Sequence, residues 1–200
     1  MEPFILGIAG GSGSGKTTFV ELLTAKLNQK PLILSIDHYY LDRSHLTPQE
    51  RGAINYDDPK AIEMDLLVKH LKAIKQNQSI DRPTYDFASH TRSKPVTIAP
   101  AKVVIVDGIF SLVDERLLSL FNLSLYVEAD SDVRLARRLL RDSSERGRKP
   151  KDVVQQYQAS VKPMHQKFIE PTKFKADFII PWAEHNHRAL DLIADMINSK

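Results

Sequence analysis

The 200-residue sequence contains no cysteine. This absence excludes a disulfide framework, a thiolate metal site and a cysteine nucleophile, and it suits a reducing compartment. No apolar run approaches the roughly 18 residues that a membrane span requires. The first residues have neither the basic start nor the cleavage site of a secretory signal. We therefore expect a cytoplasmic protein without a membrane partner.

The sequence also has no large excess of charge of either sign, because its formal net charge is only +3. The basic residues are nevertheless concentrated in one segment, residues 134–151. Such a cluster favours a polyanionic partner, either a nucleic acid or the phosphates of a nucleotide. Since no aromatic residues are interleaved there and no nucleic-acid-binding module is recognisable, we expect nucleotide phosphates and no nucleic acid.

A complete phosphate-binding loop spans residues 10–17. The apolar run 4–9 before it predicts a buried strand, and a helical pattern follows it, which is the context that this motif requires. Its glycines allow backbone N–H groups to turn toward a phosphate, and the helix N-terminus adds partial positive charge. We expect Lys16 to reach the β- and γ-phosphates and the Thr17 hydroxyl to bind Mg²⁺. The predicted nucleotide-binding residues here are Gly10, Gly11, Ser12, Gly13, Ser14, Gly15, Lys16, Thr17 and Thr18.

Further short apolar runs alternate with helical patterns and predict an α/β fold, a doubly wound, five-stranded parallel sheet with helices on both faces. The expected strands after the first are 31–36, 102–106, 123–127 and 177–180, and the expected helices cover 62–74, 133–140, 153–168 and 188–197. Residues 79–100 interrupt this alternation and predict a small β-hairpin flap, a kind of insertion that is often functional. We expect residues 1–200 to form one domain.

Two carboxylates are predicted at the carboxyl edge of the sheet, where ligands bind in this architecture. Asp37 follows the second strand, so it can accept a proton from an attacking hydroxyl and contribute to a Mg²⁺ site. The alternative role for Asp37 is a helix or turn cap. Asp107 ends the aliphatic run 102–106 and is the second acidic element expected to hold Mg²⁺, directly or through water.

The arginine segment predicts a lid over residues 138–150. Arg138 and Arg141 share a helix face, and Arg146 and Arg148 flank Gly147 in a turn. Mobile arginines that close over transferring phosphates exclude water and neutralise developing charge. A solvated basic helix is the alternative interpretation.

Over essentially its whole length the chain resembles the uridine kinase (uridine–cytidine kinase) family of P-loop kinases. The matching segments are 10–18, 37–40, 55–59, 85–92, 107–109, 141–148 and 176–181, of which 85–92 and 141–148 are the most specific. The resemblance implies phosphorylation of the 5′-hydroxyl of uridine and cytidine with ATP, or with GTP as the alternative donor, and Mg²⁺. It also implies a homotetramer and feedback inhibition by pyrimidine triphosphates.

Carried onto this sequence, the resemblance makes Asp37 the catalytic base, aided by Lys16 and Arg141. Its other implied roles are ribose binding by Asp57, Arg138 and Gln156, pyrimidine binding by Tyr85 and His90, Mg²⁺ binding by Thr17, Asp37 and Asp107, and nucleotide phosphate contacts from Arg146 and Arg148. A carboxylate can accept hydrogen bonds from vicinal hydroxyls, and a tyrosine offers an aromatic face for a base. Capping for Asp57 and packing for Tyr85 remain the alternatives.

The chain departs from the family pattern at two places. Asp107 stands where the family commonly has glutamate, and Trp182–Ala183 stand where it usually has arginine and glycine. Two other functions are open at this point. One is a related P-loop kinase for another small alcohol, such as a phosphoribulokinase or a pantothenate kinase. The other is a nucleotide-dependent RNA-binding protein.

Overall fold

The computed structural model describes residues 2–200 and contains seven strands in this range. They are β1 (Phe4–Ala9), β2 (Leu32–Ser35), β3 (Ile80–Asp86), β4 (Thr91–Ile98), β5 (Val103–Asp107), β6 (Leu123–Glu128) and β7 (Phe178–Pro181). Five strands form one parallel sheet in the order β2-β5-β1-β6-β7, and β3 and β4 form a separate antiparallel hairpin. The predicted fold class is thus confirmed.

Helices connect the strands and cover both faces of the sheet. They are α1 (Lys16–Lys26), α2 (Pro48–Gly52), α3 (Met64–Lys75), α4 (Glu115–Leu118), α5 (Ser131–Ser144), α6 (Pro150–Gln156), α7 (Lys162–Met164) and α8 (His187–Asn198), with 3-10 turns at Ile36–Tyr39, Pro59–Ala61 and Glu170–Lys175. Within the described residues 2–200, no helix is long and apolar enough to cross a membrane.

The long helix expected over 153–168 contains two wide turns, π-helical at Tyr157–Val161 and His165–Ile169. Pro163 lies between them, in α7. A proline has no N–H for the helical ladder, and its ring collides with the carbonyl of the preceding turn, so the backbone widens over Tyr157–Val161. Apolar periodicity alone does not report this change of winding.

The strands are almost uniformly apolar because each sheet face is packed against a core. One core joins the sheet to α3 through Leu67 and Leu71, and the other joins it to α1 and α8 through Phe19 and Leu190. Burying such side chains is the main favourable term in folding. The two cores pack against opposite faces of the sheet, and the loops that leave its carboxyl edge carry the candidate site.

The hairpin is fastened to the domain by Arg92. Its Nη2 donates to the Tyr39 carbonyl at 3.1 Å, its Nε donates to the Tyr40 carbonyl at 2.8 Å, and its Nη1 pairs with Glu63. Tyr39 belongs to the 3-10 turn that follows β2. The hairpin therefore lies against the same segment that carries Asp37.

Candidate active site

The loop between β1 and α1 has a backbone that strongly favours glycine, as Gly13 and Gly15 show. Gly13 has φ of +81°, and a Cβ there would lie 2.3 Å from the carbonyl oxygen of Arg134. Gly15 has φ of +91°, and its Cβ would lie 2.7 Å from the indole of Trp182. A side chain at either point collides with packed atoms in a region that L-residues disfavour. The loop therefore packs tightly, with no room for side chains at these two positions, directly ahead of the N-terminus of α1.

Lys16, the first residue of α1, lies beside this loop. Its Nζ donates to the carbonyl oxygen of Gly10 at 2.9 Å. Burial lowers the pKa of Lys16, while the charges of Asp107 and Asp37 oppose that shift. An ammonium group between a phosphate loop and two carboxylates is suited to contact the transferred phosphate.

Asp37 and Asp107 lie at the ends of neighbouring strands. Ser35, the last residue of β2, pairs in register with Asp107, the last residue of β5. Asp37 follows in the next turn, where its side chain is open to the cleft yet surrounded by protein atoms. This partial desolvation, with the negative charge of Asp107 beside it, raises the pKa of Asp37. Burial likewise raises the pKa of Asp107.

The residues around Asp107 fit a magnesium ion. Its Oδ1 is buried and has no hydrogen-bond partner among residues 2–200, so it is open to a metal ion or a water. Thr17 lines the same cavity of about 390 Å³ as Asp107. No group of three histidine, cysteine or acidic residues in the described chain could hold a metal alone. This sparse set suits Mg²⁺, which is usually bound by one or two carboxylates together with water and substrate phosphates.

The aromatic cluster of the hairpin forms a second part of the site. The Tyr85 hydroxyl and His90 Nδ1 are hydrogen-bonded at 3.1 Å. Tyr56, which sequence reasoning did not single out, stacks on the His90 ring at 4.1 Å between centroids and 10° between planes. The Tyr85 ring is tilted by 55° from the His90 ring, so the stacked Tyr56–His90 pair and Tyr85 together offer an edge and a face to a planar base.

Asp57 is the next residue after this stacked tyrosine. Its Oδ2 accepts a hydrogen bond from the Ser160 hydroxyl at 2.8 Å, and Ser160 also donates to the carbonyl of Gln156 at 3.3 Å. The Gln156 side chain accepts from Arg138 at 3.0 Å and from Arg148 at 2.7 Å. The three residues expected to bind ribose are therefore connected. Ser160 was not predicted from the sequence, because nothing in the sequence indicates which residue a serine in a helix contacts.

The arginine segment contacts the phosphate loop directly. Arg138 Nη1 donates to the Ser12 hydroxyl at 2.9 Å. Asp142, which sequence reasoning also missed, is fully buried and pairs with Arg141 and Arg148 at 2.8 and 3.4 Å. Arg146 is about half exposed and lies 3.6 Å from the same carboxylate. The predicted lid arginines thus share one acidic partner.

The Trp182–Ala183 turn packs under the loop. Trp182 is fully buried and meets Phe19 edge-on with ring centroids 5.0 Å apart. Arg137 donates to the carbonyl of Ser14 at 3.2 Å and to that of Ala183 at 2.7 Å. The turn that departs from the family pattern therefore supports the phosphate loop through packing and two hydrogen bonds.

A phosphate loop after the first strand of this parallel sheet, with two carboxylates at neighbouring strand ends, defines the class of P-loop kinases. The chain belongs to the phosphoribulokinase/uridine kinase family, whose sequence model matches residues 5–189.

Individual relatives agree with this family. Proteins named uridine kinase from Geobacillus sp. (strain WCH70) and from Listeria monocytogenes serotype 4b are 45% and 44% identical to the chain, covering 99% of it and 95% and 96% of their own lengths. Among solved structures, the D-glycerate 3-kinase of Cryptococcus neoformans (TM-score 0.65, 16% identity, 86% and 80% coverage of this and that chain) shares the fold. The phosphoribulokinase of Rhodobacter spheroides does so as well (TM-score 0.65, 14% identity, 88% and 68% coverage).

Proposed function

We propose that the protein transfers the γ-phosphoryl group of ATP to the 5′-hydroxyl of uridine and cytidine, giving UMP and CMP. The observation that carries this proposal is the attachment of the Tyr85–His90 pair, through Arg92, to the turn that bears Asp37. A base held by this pair brings its ribose toward the carboxylate. The names of the relatives at about 45% identity support the same substrate class.

In this reaction Asp37 accepts the proton of the 5′-hydroxyl, and the oxygen forms a bond to the γ-phosphorus while the bond to the β-phosphate oxygen breaks. The raised pKa of Asp37 makes its carboxylate a better proton acceptor than an ordinary aspartate. Lys16 and Arg141 stabilise the negative charge on the transferred group. Thr17, Asp37 and Asp107 would hold Mg²⁺, which would supply positive charge to neutralise the phosphates.

The Tyr85–His90 pair explains why both pyrimidines are accepted. Burial lowers the pKa of His90, so its ring is neutral at pH 7 and has one donor and one acceptor nitrogen. When the Tyr85 hydroxyl donates to Nδ1, Nε2 carries the proton and can donate to the 4-oxo group of uracil. When Nδ1 donates instead, Nε2 accepts from the 4-amino group of cytosine.

Several finer features belong to this proposal. Residues 79–100 act as the nucleoside-binding hairpin and 138–150 as the lid, within a single domain over 1–200. Asp57, Arg138 and Gln156 bind the ribose hydroxyls, while loop residues 10–18 with Arg146 and Arg148 bind the phosphates of ATP, or of GTP as alternative donor. We also propose a cytoplasmic homotetramer, on the basis of family resemblance.

An acceptor panel tests the proposal. ADP release is followed with Mg²⁺ and ATP against uridine, cytidine, 2′-deoxyuridine, adenosine, ribulose 5-phosphate, pantothenate and no acceptor. We expect turnover with the two pyrimidine ribonucleosides and a large loss with the deoxy analogue, since a site built around a hydroxyl rejects the analogue that lacks it. Preferential turnover with ribulose 5-phosphate or pantothenate would contradict it.

A further inference from the structure

Asp142, near the C-terminal end of α5, is a buried carboxylate surrounded by arginines. Its oxygens lie close to four guanidinium groups: Arg141 (Nη2 2.8 Å, Nε 3.0 Å), Arg148 (3.4 Å), Arg138 (3.6 Å) and Arg146 (3.6 Å). One carboxylate offers about four lone-pair sites, whereas each guanidinium has five N–H donors. Many N–H donors of the cluster therefore have no acceptor in the carboxylate, and most of its positive charge is not neutralised.

This arrangement differs from an ordinary structural ion pair. Side chains of Arg141 and Arg148 are about one third exposed and that of Arg146 is about half exposed. Ion pairs open to solvent contribute little to stability, whereas burying a carboxylate is costly unless its partners compensate. Stability alone gives little reason to place a fully buried acid among partly exposed arginines.

The cluster is connected to both substrate sites of the proposed reaction. Arg138 extends from Asp142 to the Ser12 hydroxyl of the phosphate loop. Arg148 extends from Asp142 to the Gln156 side chain beside the ribose site. Because Asp142 lies between the two, its charge fixes where guanidinium groups stand relative to both substrates.

We infer that Asp142 is a positioning residue, whose carboxylate gathers the lid arginines beside the phosphate loop before the triphosphate binds. It accepts hydrogen bonds from Nε and Nη2 of Arg141, which fixes the plane of that guanidinium and leaves Nη1 for a phosphate oxygen. Preorganised donors of this kind lower the cost of ordering side chains when a ligand binds. The inference rests on the proposed kinase function.

The test compares D142N with wild type and with D132N, which removes an exposed carboxylate from the first turn of the same helix. One measurement is calorimetric binding of adenylyl imidodiphosphate with Mg²⁺. The other is trypsin cleavage after Arg146 and Arg148 in the ligand-free protein, relative to cleavage after Arg116. We expect about tenfold weaker binding and about tenfold faster relative cleavage in D142N, the order expected when charge-assisted hydrogen bonds are lost, and wild-type values in D132N.

The outcomes separate this role from the proposed function. If wild type does not bind the analogue, the kinase function fails, and the positioning role fails with it. If wild type binds and D142N matches it in both measurements, or binds more tightly, only the positioning role is overturned. If D142N does not melt cooperatively, the same two measurements are made on D142E, because its longer side chain keeps the negative charge but displaces it. Weakened binding and faster cleavage in D142E then support the role, and wild-type values overturn it.

Discussion

The proposed ribose site allows a quantitative test through Asp57. Its Oδ2 accepts from Ser160 at 2.8 Å, so the rest of the carboxylate is free to accept from the ribose hydroxyls. A hydrogen bond to a charged group contributes about 1.5–3 kcal/mol. Since about 1.4 kcal/mol corresponds to a factor of ten, Asp57→Asn should lower kcat/KM for uridine by roughly 10- to 150-fold.

The same reasoning predicts that Asp57 and the 2′-hydroxyl are coupled. Wild type should prefer uridine to 2′-deoxyuridine by roughly 10- to 150-fold, and this preference should fall strongly in Asp57→Asn, because the deleted acceptor and the deleted hydroxyl share a contact, while Arg138 and Gln156 keep the remainder. Initial rates at nucleoside concentrations below KM give the four kcat/KM values. Ser160→Ala, which removes only the supporting hydrogen bond, should cost about fivefold. An unchanged preference in Asp57→Asn would show that the ribose is bound elsewhere.

Three further predictions follow from the geometry and charges of the site. Asp37→Asn should raise the melting temperature of the ligand-free protein at pH 8, because a carboxylate whose folded pKa is raised costs stability when it is ionised. This gain should shrink as the pH falls and vanish well below 3.8, where the carboxyl is protonated in both the folded and the unfolded state; a gain that stays undiminished at low pH would contradict it. Burial lowers the pKa of His165 to about 4, so stability should fall between pH 6.5 and 4 as the unfolded state takes up protons. His165→Asn should flatten this decline in pH-dependent melts, and parallel curves for the variant and wild type would refute it. Gly13→Ala should weaken ATP binding at least about tenfold in calorimetry, since a left-handed backbone costs an alanine about 1–2 kcal/mol before its clash with Arg134 is counted. An unchanged affinity would show that the loop conformation does not require glycine at this position.

The fold was largely predictable because its signals are local. Buried parallel strands are continuous apolar runs, and the runs at 4–9 and 123–127 coincide with β1 and β6. The hairpin was predicted over 79–100 because its prolines break the helical alternation, and β3 and β4 lie within that range. The π-helical turns were not predictable, since an apolar stripe fits both windings.

The candidate site was predictable where a motif fixes the backbone and not where distant segments meet. The phosphate loop carries its own geometry, so Lys16 could be identified from spacing alone. Asp142 could not, because an acid among arginines has the same pattern in a solvated helix as in a buried cluster. Tyr56 and His90 stack although they are far apart in the chain, and only the position of the hairpin brings them together.

The most direct measurement is the identity of the product formed from uridine and Mg·ATP by wild type and by Asp37→Asn. Phosphorus NMR should show uridine 5′-monophosphate and ADP in equal amounts for wild type. The variant should still bind ATP in calorimetry but turn over about 10²- to 10⁴-fold more slowly, the usual contribution of a general base. Phosphate on another ribose oxygen, or full activity of the variant, would contradict Asp37 as the base for the 5′-hydroxyl.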